Sequence, residues 1–264
     1  MDPLALMDFL GLSIGEVERS VLVLSRFSGM FLSAPFFSRG VGPRQIKTAL
    51  LLGITIIVFP MVAPWSQEGE ASIPIMVVAV VTEVIIGAVF GMLVHWVLVS
   101  VQVAGGVIGF QMGLSMAMVM DPTSGLQEGV LSNMLYLVAL ILFLNMDGHH
   151  LLIEGVTRSF QVMPLGGGLP NGDAMLQAGI AAVLQLFKLA LLVAAPIIAS
   201  TKMLYLGMGL INRASPQIQV FFLAMPVAQM MGFIILGATM TIFAHVMSRE
   251  IDGFFSLALK LVGL

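Results

Sequence analysis

The stretch VIIGAVFGMLVHWVLVSVQVAGGVIGFQMGLSMAMVM, residues 84–120, runs for 37 positions without an Asp, Glu, Lys or Arg. A helix needs about 20 apolar residues to cross a bilayer, so this run is too long for one simple span. Its last third, from Gly105 onward, is too rich in glycine for an ordinary lipid-facing helix. The pattern predicts a helix over 73–103, then a glycine-hinged, methionine-rich loop over 105–125. The fold class that follows is all-α, with several membrane-spanning or kinked helices.

Composition supports that reading. The 264 residues are 59% hydrophobic and 9% charged, with a mean hydropathy of +1.06. Soluble domains carry about 25% charged residues, so this chain lacks the charge to cover a soluble surface. It is expected to be an integral membrane protein in contact with lipid. A net charge of −3 argues against nucleic acid as a partner. There is no cysteine, which excludes disulfides and thiolate metal sites. The first 20 residues carry Asp2, Asp8, Glu16 and Glu18 and no basic leader, so no cleavable signal peptide is expected.

Apolar segments fall at 20–37, 48–63, 73–103, 129–146, 177–205 and 218–247, which predicts six helical segments. Their uneven lengths suggest helices tilted or kinked against protein as well as lipid. Arg39, Arg44 and Lys47 cluster between the first two, and WSQEGE (65–70) is acidic. An excess of Lys and Arg marks cytoplasmic loops, which places the first loop in the cytoplasm and the second outside. Leu151 to Phe160 reads as a short amphipathic helix, and Pro164 to Asp173 as a glycine and proline loop. The block from 178 to 247 reads as a helical hairpin turned at NRASPQ.

Three charges sit in apolar surroundings. Arg26, Glu83 and Lys188 each need a partner, a wet cavity or a route to the interface, because an ionisable group at membrane depth costs at least about 2.5–3.5 kcal/mol. Arg26 and Lys188 are long enough to snorkel. Glu83 is short and is expected to pair with a cation or face water. A secondary transporter of small solutes or ions would want more such groups; only Glu83 and His95 qualify as relay members. His149 and His150 are adjacent, so on a helix they point about 100° apart and make a poor chelating pair. Asp147 and Glu154 lie near them, yet a polar cap on a helix is the plainer reading, and no metal or other cofactor is expected. No HExxH or GxxxxGK[ST] motif occurs, and no catalytic residue is assigned.

Gly87 and Gly91 stand four apart, as do Gly105, Gly109 and Gly113. Small residues at that spacing let helices approach closely in membranes. From Gly105 on, Phe110, Met112, Met116 and Met118 accompany the glycines. Methionine is unbranched and re-packs readily, so these side chains could make a seal that reopens or could simply fill a core.

Four stretches together resemble one family. They are SAPFFSRGVGPRQIKTAL (33–50), GGVIGFQMGLSMAMVMDPTSG (105–125), NMDGHH (145–150) and GLINRASPQIQVFFLAMP (209–226), in order along nearly the whole chain. The chain resembles the FliR/SctT export-gate proteins of flagellar and virulence type III secretion, in wording closer to the flagellar branch. The resemblance implies a non-enzymatic subunit of a pore-like complex in the bacterial inner membrane, at the flagellar basal body. Its partners would be FliP-like and FliQ-like subunits, an FlhB-like protein and unfolded flagellar export substrates. It implies a FliP-like part over 1–175 and a FliQ-like hairpin over 176–264. It also implies a channel plug that includes Gly106, Gly109, Phe110, Gln111, Met112, Gly113, Met116 and Met118. Arg39, Arg44, Asn212, Arg213, Pro216 and Gln217 are its signature-loop residues, and Arg26, Glu83 and Lys188 would be buried or at subunit contacts.

Overall fold

The computed structural model describes residues 13–38, 43–63, 72–114, 129–168, 172–215 and 220–262, and among these every regular element is helical. They are α1 (Ile14–Ser33), α2 (Pro35–Ser38), α3 (Arg44–Val58) continued by a 3-10 turn (Phe59–Met61), α4 (Ile73–Gln111), α5 (Val130–Asn145), α6 (Gly148–Val162), α7 (Gly172–Ala214) and α8 (Val220–Val262). Four spans, Arg44–Met61, Ile73–Gln111, Met175–Ala214 and Phe222–Ile251, are long and apolar enough to cross a membrane, and α5 with α6 makes a fifth if the pair is one broken span. All-helical structure is what a bilayer imposes, because each backbone N–H and C=O must find its partner within the segment. All six predicted apolar segments are largely helical over their described residues, and the amphipathic stretch after Asp147 is α6.

The chain divides into two compact units. The first holds α1 to α3, α4 up to His95, α6 and α7 up to Ala182. Its opening helix begins with a capping box. Ser13 N donates to Glu16 Oε2 at 2.9 Å, and Glu16 N donates to Ser13 Oγ at 3.3 Å. Gly11 to Gly15 also spells the G-x-S-x-G elbow of serine hydrolases, but Ser13 is committed to the cap. Pro35 stops α1, since the residue before a proline is driven to extended backbone, and Ala34 has ψ 126°. Arg19 closes α3 from the side: its guanidinium donates to the carbonyls of Phe59, at 2.7 Å, and Val62, and lies 4.4 Å from the Phe59 ring centre.

Within this unit α1 and α4 cross backbone to backbone. A Cβ on Gly29 would fall on the carbonyl of Val84, and a Cβ on Gly87 on the carbonyl of Arg26. This is the close approach that the small-residue spacing predicts.

The second unit holds α4 from Trp96, α5, α7 from Val183 and α8 up to Asp252. Gly105 lets α4 meet α5 at Ser132, whose Cα would stand 2.7 Å from an added Cβ. Gln185 Nε2 donates to Glu250 Oε2 at 2.9 Å across the α7–α8 hairpin. Thr201 and Thr239 turn their hydroxyls back onto the carbonyls of Ile197 and Ile235, so neither side chain needs an outside partner. Pro196 and Pro226 lie inside the two long helices. Leu206, Leu210, Met230 and Ile234 are exposed on the hairpin, an apolar exterior suited to lipid or to other subunits.

Candidate functional site

Two arrangements contain the residues that sequence reading singled out. The first is a buried polar clamp in the first unit. Arg26, halfway along α1, is wholly buried, and its Nε donates to Glu83 Oε2 at 2.5 Å. Its Nη1 donates to Ser159 Oγ at 2.9 Å and its Nη2 to the carbonyl of Met163 at 3.0 Å. The Phe160 ring lies beneath the guanidinium, 4.0 Å from ring centre to Cζ. The second carboxylate oxygen, Glu83 Oε1, accepts from Gly166 N at 3.2 Å. Ser159 passes its own proton to the carbonyl of Val156 at 2.6 Å. The planar guanidinium fork suits several acceptors at once, which a lysine ammonium at this position could not match.

The clamp answers the question the two charges posed. Neither snorkels, and neither faces water, because the two side chains are 0% and 1% exposed. Both carboxylate oxygens are occupied, so Glu83 has no open face toward a transported solute or proton. Lys188 is exposed on α7, at the surface of the hairpin.

The second arrangement is the root of the methionine-rich segment. The expected boundary at 103–105 moves: α4 continues through Gly105, Gly106, Gly109 and Phe110 to Gln111. The helix ends in a Schellman cap. Gly113 N donates to the carbonyl of Phe110 at 3.0 Å and Leu114 N to that of Gly109 at 2.9 Å. Gly113 has φ 75°, a conformation that costs side-chain-bearing residues about 1 kcal/mol or more. It terminates α4, about two turns beyond the expected boundary at Gly105. Phe110 stands 73% exposed just before it, while Met112 is fully buried. Gln111 and Gly113 are half-buried. Met116 and Met118 lie outside the described residues, as do Arg39, Pro216 and Gln217. Arg44 is exposed in the first turn of α3, and Asn212 and Arg213 are exposed in the last turn of α7, where a cation complements the helix dipole.

Asp147, His149 and His150 come closer together than straight helix geometry suggests. One donor atom from each lies within 4.8 Å of the others, and the two rings are 4.2 Å apart. They occupy the left-handed residue Asp147 (φ 56°) and the first turn of α6, where side chains can swing together. Asp147 Oδ1 meets His150 Nδ1 at 3.3 Å, with both side chains largely exposed. Glu154 turns away to Arg158 at 2.6 Å. Asp147 and His150 are exposed, while His149 is half-buried.

Ser159 and Phe160 were not anticipated as partners of Arg26, nor the Gly166 turn as a partner of Glu83. The amphipathic pattern of 151–160 and the glycine loop were visible, but a separation of 133 residues between Arg26 and Ser159 left no local signal.

Comparison with known proteins agrees with these features. Residues 17–254 match the family described as bacterial export proteins, family 1. The flagellar biosynthetic protein FliR of Escherichia coli (strain K12) is 31% identical over 239 residues, covering 90% of this chain and 90% of the relative. FliR of Bacillus subtilis (strain 168) is 30% identical over 225 residues, 84% and 86% of the two chains. The surface presentation of antigens protein SpaR of Salmonella typhimurium is 22% identical over 213 residues, 80% and 78%. With its family match running nearly end to end, and with four membrane-length helices among the described residues, the chain belongs to the FliR/SctT family of bacterial export proteins.

Proposed function

We propose that this protein is a non-catalytic subunit of the flagellar type III export gate in the bacterial inner membrane. With FliP-like and FliQ-like subunits it encloses a passage for unfolded flagellar proteins, and an FlhB-like protein wraps the cytoplasmic side. Residues 1–175 act as the FliP-like part and 176–264 as the FliQ-like hairpin. The segment that follows α4 closes the passage.

The observation that carries this reading is the end of α4. A helix of 39 residues measures about 58 Å, well beyond a hydrocarbon core of about 30 Å. It delivers an exposed Phe110 and a left-handed Gly113 to its tip, followed in sequence by Met116, Met118 and Met120. Soft apolar side chains beyond a fixed hinge suit a closure that excludes water and ions yet yields to a polymer.

Deleting Leu114 to Met120 leaves α4 and Gly113 in place. In the assembled complex this deletion is expected to let small ions cross the membrane, measured as dye or ion flux in vesicles that retain all subunits. A flux equal to that of the unaltered complex refutes the closure. Co-purification of the other subunits with the deleted chain shows that assembly is intact. If the subunits fail to co-purify and no flux appears, the segment is an assembly element instead.

A further inference from the structure

The tip of α4 is held by the hairpin of its own unit. Met112 has no exposed surface, although it lies at the very start of a segment that would have to move. Its thioether rests directly on Gly232 of α8: a Cβ at that position would stand 2.7 Å from Met112 Cγ, 2.7 Å from Sδ and 2.8 Å from Cε. Only a glycine leaves that notch open. Next to it, a Cβ on Gly113 would lie 3.6 Å from Met225 Cε, so Met225 covers the hinge. Tyr205 Oη on α7 stands 3.5 Å from the carbonyl of Gln111, one of the carbonyls left without a helical partner at the end of α4. Three positions on α7 and α8 therefore converge on residues 111–113.

We propose that Met112 and Gly232 form a releasable latch, in which Gly232 is the positioning residue that fixes the root of the closing segment to α8. The inference rests on the closure proposed above. A bulky branched side chain in the notch would hold by shape; methionine holds by contact alone, through three rotatable bonds, and can withdraw without disturbing α8. Opening then consists of Met112 leaving the notch as the end of α4, capped at Gly113, comes off α8. Closing is its return. No bond or charge is made or broken; the cost of each opening is the apolar contact that Met112 gives up.

The chain contains no cysteine, which makes a direct test clean. In the assembled complex, Met112→Cys together with Gly232→Cys places one sulfur where Met112 Cγ lies, next to the second Cβ. Oxidation is expected to protect both thiols from maleimide in the double variant and in neither single variant. Export of flagellar proteins should stop in the oxidised complex and resume after reduction. Absence of protection overturns the contact. Protection with undiminished export overturns the latch, because Met112 then need not leave the notch. A second pair of variants reads the same contact without sulfur chemistry. Gly232→Ala evicts Met112 and should raise ion flux, whereas adding Met112→Ala should raise it no further than Met112→Ala does alone. Additive effects show that the two residues do not act as one unit and overturn the proposal. The Leu114 to Met120 deletion separates the two ideas. If it causes no flux while the cysteine pair still locks export, the closure is wrong and the contact stands.

Discussion

Arg26→Ala is expected to remove most of the folded protein from the membrane. The substitution leaves Glu83 buried with one oxygen stripped of its cation, and leaves Ser159 Oγ and the carbonyl of Met163 without the donor they face. Removing one partner of a buried ion pair costs about 3–5 kcal/mol, since the remaining charge is neither solvated nor paired. Marginal stabilities of about 5–15 kcal/mol make that a large share of the total. The lost Phe160 contact adds to it. Glu83→Ala should be nearly as harmful, because it strands Arg26 in the same way. Removing both charges with apolar residues of similar length, Arg26→Met with Glu83→Leu, should recover part of the loss. It cannot recover all of it, because Gly166 N and the Met163 carbonyl lose their partners. Arg26→Lys should fall between, since an ammonium keeps the charge but not the fork. Thermal unfolding of the detergent-solubilised protein, with membrane abundance beside it, ranks the four variants. An Arg26→Ala protein as stable as the unaltered one would show that the clamp is not what holds α1, α4 and the α6 turn together.

The clamp also shows where sequence reading runs short. That Arg26 and Glu83 each needed a partner was legible, because the cost of a lone charge in apolar surroundings is known in advance. That they are each other's partner was not, since 57 residues separate them and nothing local records which helix crosses which. Ser159 had no signal at all; a serine on a short amphipathic helix carries no mark of a partner 133 residues away. The end of α4 was misplaced for a different reason. Gly105, Gly106 and Gly109 were read as loop because glycine costs about 1 kcal/mol relative to alanine inside a helix. Yet Gly105 serves the same purpose as Gly87, allowing one helix backbone onto another, here α4 onto Ser132 of α5. Helix-weakening and helix-packing glycines look alike in a sequence. The true terminator, Gly113, differs only in its conformation.

Gly87→Ala is expected to be the most damaging single methyl group in the chain, and a neighbouring comparison makes the reason visible. The added Cβ would land on the backbone of α1, 2.8 Å from the carbonyl carbon of Arg26 and 3.0 Å from Met30 N. Neither atom belongs to a flexible side chain, so the two helices must separate. Gly29 faces Val84 and Ala88 in the reciprocal way, and Gly91 faces Met30 and Ala34. The contact is continuous, and relief at one point cannot be absorbed at the next. Overpacking of this kind costs about 1–3 kcal/mol in itself. Here the separation also draws Arg26, on the displaced helix, away from Glu83, which lies one turn before Gly87 on α4. Packing and charge pairing fail together, so the loss should exceed the overpacking figure alone. Gly207 and Gly237 have nothing within 4 Å of an added Cβ. There the same substitution should raise stability slightly, by roughly 0.5–1 kcal/mol, because alanine is the better helix former. Unfolding midpoints of the purified chain should therefore move in opposite directions for Gly87→Ala and Gly207→Ala. Combining Gly87→Ala with Arg26→Ala should cost less than the sum of the two, since the methyl has already weakened the ion pair that the second change removes. Equal and additive losses would mean that the close crossing of α1 and α4 and the buried pair are independent, and that the glycines do not serve to bring Arg26 to Glu83.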